Sequence, residues 1–136
     1  MIRVVIVAVV VVVAFLVALL AQRRAPRPPA SRGHGIPDQL DRADFMNPHA
    51  PWLITVFTSA TCDVCADTWQ KVSVLESADV AVQQIEYQSD RRLHDRYAIE
   101  AVPLTLVVDD HGVVRNSFVG PVSATHLWAA VAEARG

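Results

Sequence analysis

Cys62 and Cys65 are the whole thiol complement of this chain, and they lie three residues apart, directly behind the apolar run Trp52-Leu53-Ile54-Thr55-Val56-Phe57. That placement limits the fold first. No pair is left over to staple distant segments, so any domain must stand on its own hydrophobic core. One Cys-x-x-Cys is also a poor structural zinc site, which wants four ligands and commonly two such pairs. Two thiols this close, where a strand gives way to a helix, can close a small disulfide and open it again. The spacing points to a reversible two-electron couple.

The pattern around the pair reads as an α/β domain over residues 38–136. The nearly continuous apolar run at 52–58 predicts a central strand buried on both faces. Residues 63–77 predict a helix, with Trp69, Val72 and Leu75 on one apolar face. Residues 80–87 alternate as a strand, 90–97 are charged and helical, and 104–108 are apolar and β-branched, a second central strand. Asp109-Asp110-His111-Gly112 is a hairpin turn with Gly at the position of positive φ, and 113–119 returns antiparallel. Ser123 is a good N-cap for a last helix over 124–135. The order β-α-β-α-β-β-α predicts a mixed central sheet flanked by helices, and about 100 residues suffice to bury such a core.

Ahead of this domain, Val4 to Ala21 carries no charge. A helix of that length nearly spans the ~30 Å hydrocarbon core of a bilayer, so residues 1–21 are expected to form a single-pass membrane anchor. The run is longer than a signal-peptide core and ends without an A-x-A pattern, which favours an anchor that is not cleaved. Residues 22–37, rich in Pro, Arg and Gly, read as an extended tether. The positive-inside count over Arg23, Arg24, Arg27 and Arg32 puts the domain in the cytoplasm. Analogy with tethered Cys-x-x-Cys domains puts it on the other side, and the sequence leaves the side open. Charge separates the two parts. Residues 1–36 hold five Arg and no acid, whereas residues 37–136 hold seven basic residues against all 14 acids, a net of −7. An acidic domain is the wrong surface for a phosphate backbone, so no nucleic-acid partner is expected.

Four landmarks make residues 38–136 resemble the thioredoxin-like family: the Cys-x-x-Cys behind the first core strand, the segment Tyr97-Ala98-Ile99-Glu100-Ala101-Val102-Pro103, the Gly112 hairpin, and Gly120-Pro121-Val122-Ser123 before the last helix. Pro103 falls 38 residues after Cys65. The resemblance implies a bacterial, membrane-anchored thioredoxin-domain protein that needs no cofactor and no metal. It implies that Cys62, at the start of a helix, attacks a partner and that the more buried Cys65 resolves the mixed disulfide. Pro103 would be cis and face the sulfurs, and Thr61, Val102 and Pro103 would form the surface against which a partner segment lies. The implied partners are protein thiols and disulfides, with a redox donor or acceptor upstream.

The chain also departs from the family. Thr61 stands where Trp usually precedes the first Cys, Val56 where a buried Asp serves the second Cys, Gln84 in place of a Lys, and Leu104 where Thr often follows the proline. Those losses motivate an alternative, a non-catalytic binding module presented at a membrane. A carrier of a soft ion such as Cu(I) lacks any Met or His at useful spacing. The remaining aromatic and basic residues have ordinary readings: Trp52, Trp69 and Trp128 as packing, the five His as surface or cap residues, and Arg91, Arg92 and Arg96 as a solvated helix face.

Overall fold

A computed structural model describes residues 1–24, 31–32 and 35–136, with side chains over 1–18 and 35–136. The elements in chain order are α1 (Ile2–Arg24), β1 (Ser31–Arg32), β2 (Ile36–Pro37), a 3-10 turn (Arg42–Asp44), β3 (Trp52–Thr58), α2 (Cys65–Ser73), β4 (Val80–Glu86), α3 (Arg91–Arg96), β5 (Leu104–Asp109), β6 (Val114–Val119) and α4 (Ala124–Arg135).

From β3 onward this is the β-α-β-α-β-β-α order that the sequence predicts. The sheet runs β4-β3-β5-β6. β3 pairs parallel with β4 from Trp52↔Val80 to Thr58↔Glu86, and antiparallel with β5 from Trp52↔Asp109 to Phe57↔Leu104. β5 and β6 form the hairpin. Gly112 turns it at φ +80°, and a Cβ there would stand 2.0 Å from the Leu40 carbonyl oxygen, so glycine is required twice over. The close approach is used: Leu40 N–H donates to Gly112 O at 2.7 Å, and Val114 N–H to Asp38 O at 2.9 Å. These bonds strap the segment before the 3-10 turn onto the hairpin.

Strand alternation sorts the core into two layers. One face of the sheet carries Leu53, Phe57, Leu104, Leu106 and Val108 against Leu93 of α3, Tyr97 just after it, and Leu40 and Phe45. The other carries Ile54, Val56, Val80 and Val107 against Val72 of α2 and Leu127 and Val131 of α4. β3 has apolar layers on both sides, which is why its sequence is a run and not an alternation. Truncating one of these side chains to Ala costs about 2–5 kcal/mol.

Several expectations need correction. α2 is shorter than 63–77: its first i→i−4 bond is Thr68 N–H to Val64 O, and neither Asp63 nor any other side chain caps it. Trp128 is 48% exposed, on the outer side of α4. His94 is buried, with Nε2 2.9 Å from the Ile85 carbonyl oxygen and its ring edge-on to Phe57 and Tyr87. Arg96 is no solvated group; it pairs with Asp44 at 2.8 Å and Asp41 at 3.6 Å.

The N-terminal part differs most from its reading. β1 and β2 pair antiparallel inside the expected tether, and packing onto the domain already begins at 35–37, where Gly35 and Pro37 are buried and Ile36 meets the core. Residues 25–30 and 33–34 of that tether lie outside the described residues. Among the described residues no helix is long and apolar enough to cross a membrane. Backbone and side chains of α1 are described together only over 2–18, a stretch of about 25 Å against the ~30 Å hydrocarbon core. The end of the uncharged run falls beyond it.

Candidate redox site

The site grows from the end of β3. Thr58, its last residue, is buried and accepts a hydrogen bond from Tyr87 N–H at 2.8 Å. The chain then turns through 59–64 before α2 begins. Cys62 N–H donates to Ser59 O at 3.1 Å, which closes the turn. Cys62 and Cys65 are joined by a disulfide, with Cα atoms 5.5 Å apart. Cys62 is half-buried, whereas Cys65 is only 3% exposed. A reagent from solution therefore meets the Cys62 sulfur first.

The expected helix start at Cys62 is displaced. Cys65 is the first residue of α2, and Cys62 belongs to the turn before it. The disulfide places the Cys62 sulfur beside the first turn of α2, and once that bond is reduced the unpaired backbone N–H groups of the turn favour a thiolate there.

Val102–Pro103 is a cis peptide. Pro103 is buried and its carbonyl accepts from Gly120 N–H at 2.8 Å. The next residue, Leu104, pairs with Phe57 across the sheet, so Pro103 stands at the sheet end from which the Cys62 turn emerges. Val102 is partly buried against the core, and Thr61 is exposed with Oγ1 3.1 Å from Ser59 Oγ. Topology thus brings Thr61, Cys62, Cys65, Val102 and Pro103 to one end of the sheet.

Sequence reasoning missed the residue that fixes the turn. Gln88, two residues beyond β4, accepts from Ala60 N–H at 3.0 Å and donates to Ser59 Oγ at 3.3 Å. Gln84 Nε2 donates to Thr58 Oγ1 at 3.1 Å. The signal was available in the parallel register: with Thr58 opposite Glu86, residues just past 86 stand level with the turn. Val56, in the place of the family's buried acid, is fully buried among apolar side chains. Two other groups on the central strands are polar and fully buried: the hydroxyls of Thr55 and Thr105, neither with a hydrogen-bond partner among the described residues.

Among the described residues no group of three or more His, Cys, Asp and Glu could hold a metal ion. A cleft of about 550 Å³, lined in part by Asn47, His49, Pro51, Glu76 and Ser77, lies at the opposite end of the sheet, beside the start of β3 and β4.

The mixed sheet in the order β4-β3-β5-β6, with its flanking helices, is matched by solved structures. Thioredoxin f from spinach chloroplast superposes with a TM-score of 0.56 at 17% identity, over 71% of this chain and 91% of that one. A point mutant of the thioredoxin from Halobacterium salinarum gives 0.55 at 22% identity, over 62% and 74%. Fasciola hepatica thioredoxin gives 0.54 at 19%, over 63% and 83%. This is a thioredoxin-like fold. No protein-family profile matches the sequence, and no curated protein does. The likeness is thus one of three-dimensional arrangement, at 17–22% sequence identity in these three structures.

Proposed function

We propose that the chain is a thiol–disulfide oxidoreductase, tethered to a membrane and exchanging disulfides with partner proteins. The observation that carries this reading is the asymmetric Cys62–Cys65 disulfide, one sulfur reachable and one buried, at the sheet end that also holds cis Pro103.

The chemistry balances as follows. In the reduced form the Cys62 thiolate attacks one sulfur of a partner disulfide, breaking the partner S–S bond. The leaving sulfur departs as a thiolate and takes a proton. Cys65 loses its proton and attacks the Cys62 sulfur of the mixed disulfide, re-forming Cys62–Cys65 and expelling the second partner thiolate. Two electrons pass to the partner. Run backwards, the same steps oxidise a partner dithiol. The reduction potential decides the direction: about −270 mV marks a reductase of the thioredoxin kind and about −120 mV a strong oxidant.

Membrane attachment is supported by the uncharged run Val4–Ala21 and by α1, whose side chains over 2–18 are almost all apolar and all exposed. A helix apolar all round needs apolar surroundings.

The test is exchange with glutathione by the full chain in detergent. The wild-type pair equilibrates with mixtures of oxidised and reduced glutathione and catalyses reduction of a protein disulfide such as insulin's, and Cys62→Ser abolishes both. A wild-type pair inert to glutathione leaves the binding-module reading instead. Fractionation tests the tether separately: the full chain stays with membranes through a carbonate wash, whereas a chain released by that wash is not anchored by α1.

A further inference from the structure

The Thr105 hydroxyl is an anomaly that the reaction as described does not use. Thr105 is fully buried and its Oγ1 has no hydrogen-bond partner among the described residues. Such a group destabilises a fold by about 1–3 kcal/mol, and its presence calls for a reason. Its position supplies one. Alternation along β5 puts Thr105 on the same face as Val107, and its cross-strand neighbour is Val56; both neighbours belong to the layer under α2 and α4. The buried residues of α2 are Cys65, Thr68 and Val72, spaced i, i+3, i+7 along one stripe facing that layer. α2 follows the turn at the end of β3 and packs back along the sheet. α2 packs against β3, β4 and α4, so its first residue lies toward the end of β3, the end at which Val56 pairs with Thr105, while Val72 lies about 10 Å further along.

The structure is that of the oxidised form, in which the Cys65 sulfur carries neither proton nor charge. On reduction it gains one or the other and becomes a far better hydrogen-bond partner. We propose that the Thr105 hydroxyl pairs with the Cys65 sulfur in the reduced protein, directly or through one water, and so stabilises the reduced form against the disulfide. Thr105 thereby takes up, from the neighbouring strand, a polar role beside the second cysteine that Val56 cannot fill. This rests on the redox reading of the pair. Thr55 is the internal control: it is equally buried and unpartnered, but alternation puts it with Leu53 and Phe57 on the opposite face.

The experiment is the equilibrium of the full chain, in detergent, with glutathione: reduced pair plus one oxidised glutathione gives the disulfide plus two reduced glutathiones. Thr105→Val keeps the shape and removes the hydroxyl. It is expected to make the pair about tenfold harder to reduce, a potential about 30 mV more negative. Thr105→Ser is expected to keep the wild-type value, Thr105→Ala to shift it the same way as Thr105→Val, and Thr55→Val to leave it unchanged. A purely structural role for Thr105 moves the stability of both redox forms together and not the potential. An unchanged potential in both Thr105→Val and Thr105→Ala, or an equal shift in Thr55→Val, overturns the proposal while leaving the redox function intact. A wild-type pair that does not exchange at all overturns both.

Discussion

The two faces of the central sheet are held together by different means. The face under α3 is bound by a charged and aromatic network. Tyr97 donates to Asp44 at 2.5 Å and accepts from Asp41 N–H at 3.0 Å, while Arg96 pairs with both acids. Buried Arg42 donates to the carbonyl oxygens of Asp109, Asn47 and Ala50. Asp109 receives Arg115 and the N–H groups of His111 and Val113. Burial alone would raise the Asp109 carboxyl, but those hydrogen bonds outweigh it and hold the group below its usual value. The face under α2 and α4 is aliphatic at its centre and edged by Trp52, Trp69 and Phe118, with polar links such as Lys71 Nζ to Val122 O and Asn116 Nδ2 to Ala130 O. It carries the disulfide at its edge, and its central-strand hydroxyl, Thr105, is left without a partner. Among the described residues each face keeps one buried central-strand hydroxyl without a partner, Thr55 on the first and Thr105 on the second, but only Thr105 lies on the face that carries the disulfide. Perturbing the polar network of the first should change stability without changing redox chemistry, whereas removing the Thr105 hydroxyl from the second should change the potential of the pair.

Four substitutions or conditions can break that division, taken from the largest effect down. Cys62→Ser should reduce exchange with glutathione to the uncatalysed background while the circular dichroism spectrum keeps its helix and strand content. Arg42→Met removes one donor from three carbonyl oxygens, of which Asp109 O keeps Gly112 N–H and Asn47 O keeps Ala50 N–H, and should cost about 2–4 kcal/mol of stability, seen as a lower denaturation midpoint, with the potential of the Cys pair unmoved. Gln88→Leu frees Ala60 N–H and Ser59 Oγ, so the turn no longer holds the Cys62 sulfur at α2. The rate of alkylation of reduced Cys62 at neutral pH should fall several-fold, and stability should drop by about 1 kcal/mol; an unchanged alkylation rate would remove Gln88 from the site. The smallest effect concerns pH. Burial, and then the bond to Asp44, push the Tyr97 hydroxyl up from 10.0 to about 12. A folded value above the unfolded one means that this contribution is complete below pH 10 and is lost as pH rises from 10 towards 12. Tyr97→Phe should flatten the stability curve over that interval, and an unaltered curve would show that the contribution is absent.

The sequence made the sheet legible because β3 and β5 are apolar runs that only a doubly covered strand explains, and because Ser123 and Gly112 punctuate the elements where they end. The resemblance located Pro103 for the same reason: it abuts a core strand. What escaped lay in tertiary geometry. The start of α2 is fixed by the turn that Cys62 N–H closes onto Ser59, and no residue type signals that. Gln88 acts across a parallel register. His94 looks like an exposed helical histidine until α3 is laid on the sheet, where it meets Phe57, Tyr87 and the Ile85 carbonyl. Arg96 was legible as charge but not as the partner of acids more than fifty residues earlier. The N-terminal run is clear as composition, yet among the described residues no helix is both long and apolar enough to cross a bilayer.

The account turns on the unequal access of the two sulfurs. Its most direct test is mass spectrometry of Cys65→Ser and Cys62→Ser, each as the full chain in detergent, exposed to oxidised glutathione. The account predicts that Cys65→Ser, which retains Cys62, takes up one glutathione quickly and holds it as a stable mixed disulfide. It predicts that Cys62→Ser, which retains buried Cys65, stays unmodified over the same time. Equal labelling of the two variants, or none of either, would contradict it.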